Sequence, residues 1–254
     1  MGLDNENAAH AMTFRPWMAF DLETVPAPDC AEYLTEPIEA PSNWKDPVKI
    51  AKYITAERQQ QINEAGLDLD LCEVVAIAGA FADREWCQSR QRQSEEAMIR
   101  DFWRFAANLF TAGGVLVGFN VLHFDLPVLL RRSLYLGIPT PRISIDKYRH
   151  DQILDVAELL SFGRRDLLRS QAFYAKRLGI AHDTTVDGSQ IAALVIAGQW
   201  DTVERHCRMD TRTVREIAEV HSIRTRVEHS VTKSHCRHGW SPSPNATPCA
   251  LEHR

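Results

Sequence analysis

Asp21 and Glu23 are the first residues along this chain whose types and spacing suggest chemistry. They stand one residue apart in Trp17-Met-Ala-Phe-Asp-Leu-Glu, an apolar run that stops at Pro26 and Pro28. A strand there sends both carboxylates to one face and Phe20 and Leu22 to the other. The Asp-x-Glu string alone carries little, because 17 Asp and 17 Glu in 254 residues generate it by chance, and it recurs at Asp83-Arg84-Glu85. The copy at 83–85 reads as a polar turn with an arginine neighbour, whereas Asp21 and Glu23 have no cation near them in sequence. Two carboxylates on one face of an apolar strand repel each other and lose hydration, and a metal ion is the simplest compensation.

Asp210 poses the same problem on a helix. Val203, Cys207, Asp210, Val214 and Ile217 recur at alternating steps of four and three, the core-facing stripe of an amphipathic helix, and Asp210 takes an aliphatic's place in it. His206 lies one turn earlier on the same side. The ordinary reading is a core Asp paired with an arginine, or the edge of the stripe. Asp125 precedes Leu-Pro, and its ordinary reading is a helix N-cap with Pro127 behind it. Asp155 reads equally as an acid at a helix N-terminus or as the edge of a site. Asp187, Ser189 and Gln190 read as a helix cap.

Positioning these residues takes an ordered set of elements. Strands are expected near 17–23, 72–81 and 115–119, with a partner strand beginning at Trp86, and 29–45 reads as loop. Helices are expected over about 46–66, from Ser94 to the Gly113-Gly114 pair, from Asp125 to Gly137, and over 153–161, 166–178, 188–197 and about 200–226. Strands early and helices late indicate an α/β or α+β layered fold. Residues 1–14 read as a flexible leader and 228–254 as a flexible tail.

Taken together, FDLET (20–24), GFNVLHFDLPVL (118–129) and HCRMD (206–210) resemble the three motifs of the DEDD, or DnaQ-like, 3′–5′ exonuclease superfamily. The resemblance is to the group related to the proofreading exonuclease domain of family B DNA polymerases. ILDVAELL (153–160), LGI (178–180) and VDGSQI (186–191) are similar to further signatures of that group, and the likeness spans about 17–220. It implies a ribonuclease-H-like α/β fold, a mixed central β-sheet flanked by α-helices, over 15–227 with a helical insertion at about 46–65. It implies hydrolysis of single-stranded DNA, or RNA, from a free 3′ end to release nucleoside monophosphates. It also implies two divalent cations, Mg²⁺ or Mn²⁺, about 3.5–4 Å apart, held by Asp21, Glu23, Asp125 and Asp210. Asp21 would bridge both ions, with Glu23 and Asp210 on the first and Asp125 supporting the second through water. Thr24, Asn120, His123 and Phe124 would border the terminal nucleotide. The family's third motif usually carries Tyr at the spacing where this chain has His206, which is retained as the water-orienting group. An imidazole accepts a proton near pH 7 more readily than a phenol with a pKa of about 10.

Composition bounds the alternatives. The chain is 44% hydrophobic and 25% charged, with a net charge of −5. Residues 1–70 hold thirteen acidic against five basic residues, whereas 131–177 hold ten basic against five acidic, a local face able to follow a phosphate backbone. The longest apolar run, 74–82, is too short to span a membrane, and the polar, acidic start is no signal peptide, so a cytoplasmic protein with reduced cysteines is expected. His235, Cys236, His238 and Cys249 are spaced poorly for zinc. Two competing functions remain: a non-catalytic nucleic-acid end binder of the same fold, and a scaffold whose 46–65 helix and tail dock a partner.

Overall fold

The computed structural model describes residues 15–144, 151–183 and 185–224, with side chains through Val220. Five strands form one sheet: β1 (Trp17–Pro26), β2 (Cys72–Phe81), β3 (Arg84–Ser89), β4 (Val115–Gly118) and β5 (Ile153–Asp155). Their spatial order is β3-β2-β1-β4-β5. β1 runs antiparallel to β2 and β2 to β3, whereas β1–β4 and β4–β5 are parallel. The expected mixed sheet is therefore present. Its helices are α1 (Cys30–Tyr33), α2 (Pro47–Glu64), α3 (Glu95–Thr111), α4 (Asp125–Tyr135), α5 (Val156–Ser161), α6 (Gln171–Leu178), α7 (Ile191–Ile196) and α8 (Trp200–Arg224).

The period-two pattern of β1 decides what covers each face. Met18, Phe20 and Leu22 pack with Met98, Phe102, Leu126 and Leu129 of α3 and α4. The odd-numbered side chains Ala19 and Val25 turn to the opposite layer, where Val203, Cys207, Val214 and Ile217 of α8 lie. β2 is covered on both faces, which suits its almost unbroken apolar run. Ser94 caps α3 by accepting from the Ala97 N–H. Next to it, the buried Glu95 carboxylate accepts from Val74 N (2.8 Å) and from both Nε and Nη2 of Arg132 (2.8 and 2.7 Å). This one carboxylate ties β2, α3 and α4 together, and α4 carries Asp125 on its first turn.

Several elements differ from the sequence expectation. Residues 153–155 form the edge strand β5, and the helix starts only at Val156, capped by the Asp155 side chain. The 166–178 helix is broken into a 3-10 turn at Arg165–Leu167 and α6, which opens at the Ser170 cap. The 188–197 helix begins as a 3-10 turn, with Asp187 and Gln190 forming the cap that their sequence suggested. The loop over 29–45 contains the single turn α1. α2 forms with Asp46 as its cap, but none of its residues is buried and Val48 is 75% exposed. Glu85, expected beside Arg84, pairs instead with Arg212 and Arg215 of α8. The leader, the tail and the His235–Cys249 cluster lie outside the described residues. Among those described, no helix is long and apolar enough to cross a membrane.

Removing one partner of a buried ion pair strands the other charge. Arg132→Met should therefore destabilise the fold by about 3–5 kcal/mol in denaturant unfolding, and a loss below about 1 kcal/mol would show that the Glu95 bridge is not structural.

Candidate active site

The site opens where the sheet stops. β4 pairs β1 only from Trp17 to Ala19, and β4 ends at Gly118. A Cβ on Gly118 would lie 1.9 Å from Val121 Cγ1, so only glycine lets the chain double back there. Past Ala19, the edge of β1 that faced β4 is open, and a cleft of about 480 Å³ occupies it. Asp21, Leu22, Phe119, Asn120, Phe124, Asp125, Arg165, Leu168 and Arg169 line it. Carboxyl ends of parallel strands are the usual place for ligands in such sheets.

Asp21 and Glu23 face α8, as the alternation requires. Their cross-strand neighbours on β2 are Ala78 and Ala76, whose methyl groups leave the carboxylates room and supply no donor. Cys207 of α8 sits against them: among the described residues, Asp21, Glu23 and Cys207 each offer a ligand atom within 4.8 Å of the others. His206 is partly buried, with Nε2 3.8 Å from Glu23 Oε1 and 3.7 Å from Asp210 Oδ2. His182, from the loop after α6, brings Nδ1 to 3.9 Å from Asp210 Oδ1 and 3.1 Å from the Thr213 hydroxyl. Asp210 is thus flanked by two imidazoles, and the arginine partner of its ordinary reading is not what it meets.

Burial first, then the charges of Asp210, Asp125 and Glu23, push Asp21 well above the usual carboxylate range. Burial, Asp210 and Asp125 do the same to Glu23. Asp125 is raised to about 7 by burial, against the pull of its own amide and that of Leu22. Asp210 is raised by burial despite His206 and His182. Glu23 Oε1 and Asp210 Oδ1 are buried with no hydrogen-bond partner among the described residues. Carboxyl oxygens that are crowded, dehydrated and undonated fit a hard divalent cation, which would displace their protons.

The remaining expected residues divide. Asn120 (φ +64°) and Phe124 line the cleft. His123 Nε2 lies 3.5 Å from Glu158 Oε1, beside α5. The Thr24 hydroxyl donates to the Gly66 carbonyl at 2.6 Å. Phe124, not Asp125, takes the N-cap position of α4, which removes the capping explanation for Asp125. Asp155 holds the loop that leads to it: its carboxylate accepts from Asn120 N (2.8 Å), Leu122 N (3.0 Å) and Ala157 N (2.9 Å). It is therefore a buried brace behind the site and a helix cap at once. Sequence reasoning passed over His182, which no motif marks, and Cys207, visible only as a member of the α8 stripe. It also passed over Gln171, whose amide donates to the Asp210 carbonyl at 2.9 Å.

Residues 67–214, more than half of the chain, match a family described as "predicted 3′–5′ exonuclease related to the exonuclease domain of PolB". The chain belongs to this family. The matched span contains Asp125, His206 and Asp210, and the β1 carboxylates precede it. Among solved structures, the chain is similar to the family B DNA polymerase from the hyperthermophilic archaeon Pyrobaculum calidifontis, with a TM-score of 0.53 and 18% identity over 80% of this chain. It covers 24% of the polymerase chain. The fold of this exonuclease-family chain is ribonuclease-H-like, as the sequence resemblance implied. No curated protein matches.

In this exonuclease-family chain Asp125 keeps a proton in the folded state up to about 7, against an ordinary 3.8. The folded chain then binds more protons than the unfolded chain across that window, so the metal-free protein should lose stability as pH rises from 5 to 8. Mn²⁺ at about a hundredfold over its Kd should raise Tm by about 5–10 °C at pH 8, and by less at pH 5, where protons compete. Asp21→Asn should raise the metal-free Tm at pH 8 and abolish the Mn²⁺ increment. A Tm indifferent to both pH and Mn²⁺ would contradict this reading of the cluster.

Proposed function

We propose that the protein is a divalent-metal-dependent 3′–5′ exonuclease acting on single-stranded nucleic acid, with DNA favoured over RNA. The observation that carries this reading is the set of crowded carboxylates at the open edge of β1, two of whose oxygens are buried without donors. Asp21, Glu23, Asp125 and Asp210 would hold Mg²⁺ or Mn²⁺. When bound, the two cations neutralise the phosphodiester's charge and make water a stronger nucleophile.

The protein's own groups do the rest. Water attacks the terminal phosphorus, the bond to the 3′-oxygen of the preceding nucleotide breaks, and that oxygen leaves with a proton as the nucleoside 5′-monophosphate departs. His206, beside Glu23 and Asp210, orients the water and accepts its proton. Asn120 and Phe124 in the cleft contact the terminal nucleotide, whereas Thr24, bonded to Gly66, and His123, beside Glu158, are not among the residues that line it. A non-catalytic end-binding role is favoured by one feature, the imidazole at the usual tyrosine spacing.

The test is a 5′-labelled single-stranded DNA or RNA oligonucleotide incubated with Mg²⁺, Mn²⁺ or EDTA. A metal-dependent ladder shortening from the 3′ end is expected, absent with Asp21→Ala and slowed about 10²–10⁴-fold by His206→Ala. His206→Tyr should retain cleavage with an altered pH profile. Substrates left intact under every metal would overturn the catalytic reading and leave end binding in its place.

A further inference from the structure

Two imidazoles flank the Asp210 carboxylate, and only one of them, His206, has a part in the proposed reaction. The other, His182, reaches Asp210 by way of α6. Ser170 caps this helix by accepting from Phe173 N, and Gly179 ends it in the left-handed region (φ +73°), where the Ile180 N–H donates to the Ala175 carbonyl at 2.9 Å. That ending turns the chain back, so that Tyr174, Leu178 and Ile180 pack together against Val214, Ile217 and Ala218 of α8. The first residue of α6, Gln171, donates to the Asp210 carbonyl at 2.9 Å. Two residues past Ile180, the His182 ring lies beside the Asp210 side chain. Both ends of α6 therefore bear on one residue of α8.

The hydrogen bonds around His182 decide which of its nitrogens carries a proton. Thr213 Oγ1 donates its single hydrogen to the Met209 carbonyl, one turn earlier in α8 and 2.9 Å away. The hydroxyl oxygen that His182 Nδ1 meets at 3.1 Å is then left to accept, and Nδ1 is the donor. Asp210 Oδ1 lies 3.9 Å from the same nitrogen. This is the oxygen that is buried without a hydrogen-bond partner among the described residues. Asp210 Oδ2 lies on the other side, 3.7 Å from His206 Nε2, which in turn is 3.8 Å from Glu23 Oε1. One N–H thus stands between two acceptors. The neutral hydroxyl keeps it on Nδ1, and the Asp210 carboxylate, once ionised, is drawn to it across the longer gap.

We propose that His182 is a positioning residue for Asp210, its Nδ1–H holding Oδ1 so that Oδ2 is presented toward Glu23 and the cation these two carboxylates would share. The inference rests on the cation reading of the cluster and adds to it a residue outside the three motifs. Carboxylates that ligate metals are themselves hydrogen-bonded from behind, and losing such a partner typically weakens the metal about 10–100-fold.

The test is Mn²⁺ binding by the whole chain without nucleic acid, read from the loss of the free-ion signal in electron paramagnetic resonance. Asp21→Ala marks the uptake that belongs to the cluster. His182→Phe fills the ring's place but lacks the N–H, and should weaken that uptake about 10–100-fold. His182→Asn, whose amide nitrogen stands where Nδ1 stood, should bind Mn²⁺ within about threefold of the wild-type chain. His182→Gln puts its amide nitrogen at the place of Nε2 and should behave like His182→Phe, so the comparison survives if the Phe variant does not fold. His182→Phe or His182→Gln binding as tightly as wild type, or His182→Asn weakened as much as either, would overturn the assignment and leave the cation site standing. A wild-type chain without Mn²⁺ uptake that Asp21→Ala removes would instead overturn the cation reading, and this inference with it.

Discussion

Mutual repulsion among dehydrated carboxylates is the interaction around which this protein is arranged. Asp21 and Glu23 place ligand oxygens within 4.8 Å of each other, and at an effective dielectric constant of about 20 two such charges repel by on the order of 3 kcal/mol. Asp125 and Asp210 add to the same field. Among the described residues, no lysine or arginine bonds the unpartnered oxygens of Glu23 and Asp210, and the imidazoles of His206 and His182 stand 3.7–3.9 Å from their carboxylate neighbours. A fold tolerates such a cluster only if the rest of the structure holds it in place, and the free energy stored there is available to bind cations.

The holding is done by a few strong local constraints. A continuous β1 backbone puts Asp21 and Glu23 on one face, and the alanines opposite them on β2 let α8 approach closely. The Cys207 thiol donates to the Asp21 carbonyl at 3.5 Å, so the same helix that supplies Asp210 is fixed against the strand that supplies its partners. Asp125 is located from two sides, by the Glu95–Arg132 bridge along α4 and by the Asp155 carboxylate behind the 119–124 loop. The cleft exists because β4 ends at Gly118 while β1 continues.

Much of this could be read from residue types. Charged residues in apolar periodic patterns exposed Asp21, Glu23 and Asp210, because the period of two or 3.6 dictates which neighbours each side chain must have. The central strands and α3, α4 and α8 followed from the same periodicity. What stayed hidden depends on contacts between distant segments. His182 reaches Asp210 from a loop without periodicity, and Asp155 looks like any helix cap until Asn120 and Leu122 are seen to share it. The edge strand β5 is three residues long and draws its conformation from pairing with β4, which no local pattern announces. The basic segment looked uniform in sequence because a string of arginines does not disclose which of them face Asp70 or Glu95.

The central claim is that the carboxylate cluster is a cation site completed by residues from β1, α4 and α8. It is tested most directly by crystals grown with Mn²⁺ and a nucleoside 5′-monophosphate, measured for anomalous scattering. The account predicts anomalous density among the carboxylates of Asp21, Glu23, Asp125 and Asp210, with the nucleotide's base in the cleft at Phe124. Featureless density at these oxygens, or Mn²⁺ bound only elsewhere, would contradict it.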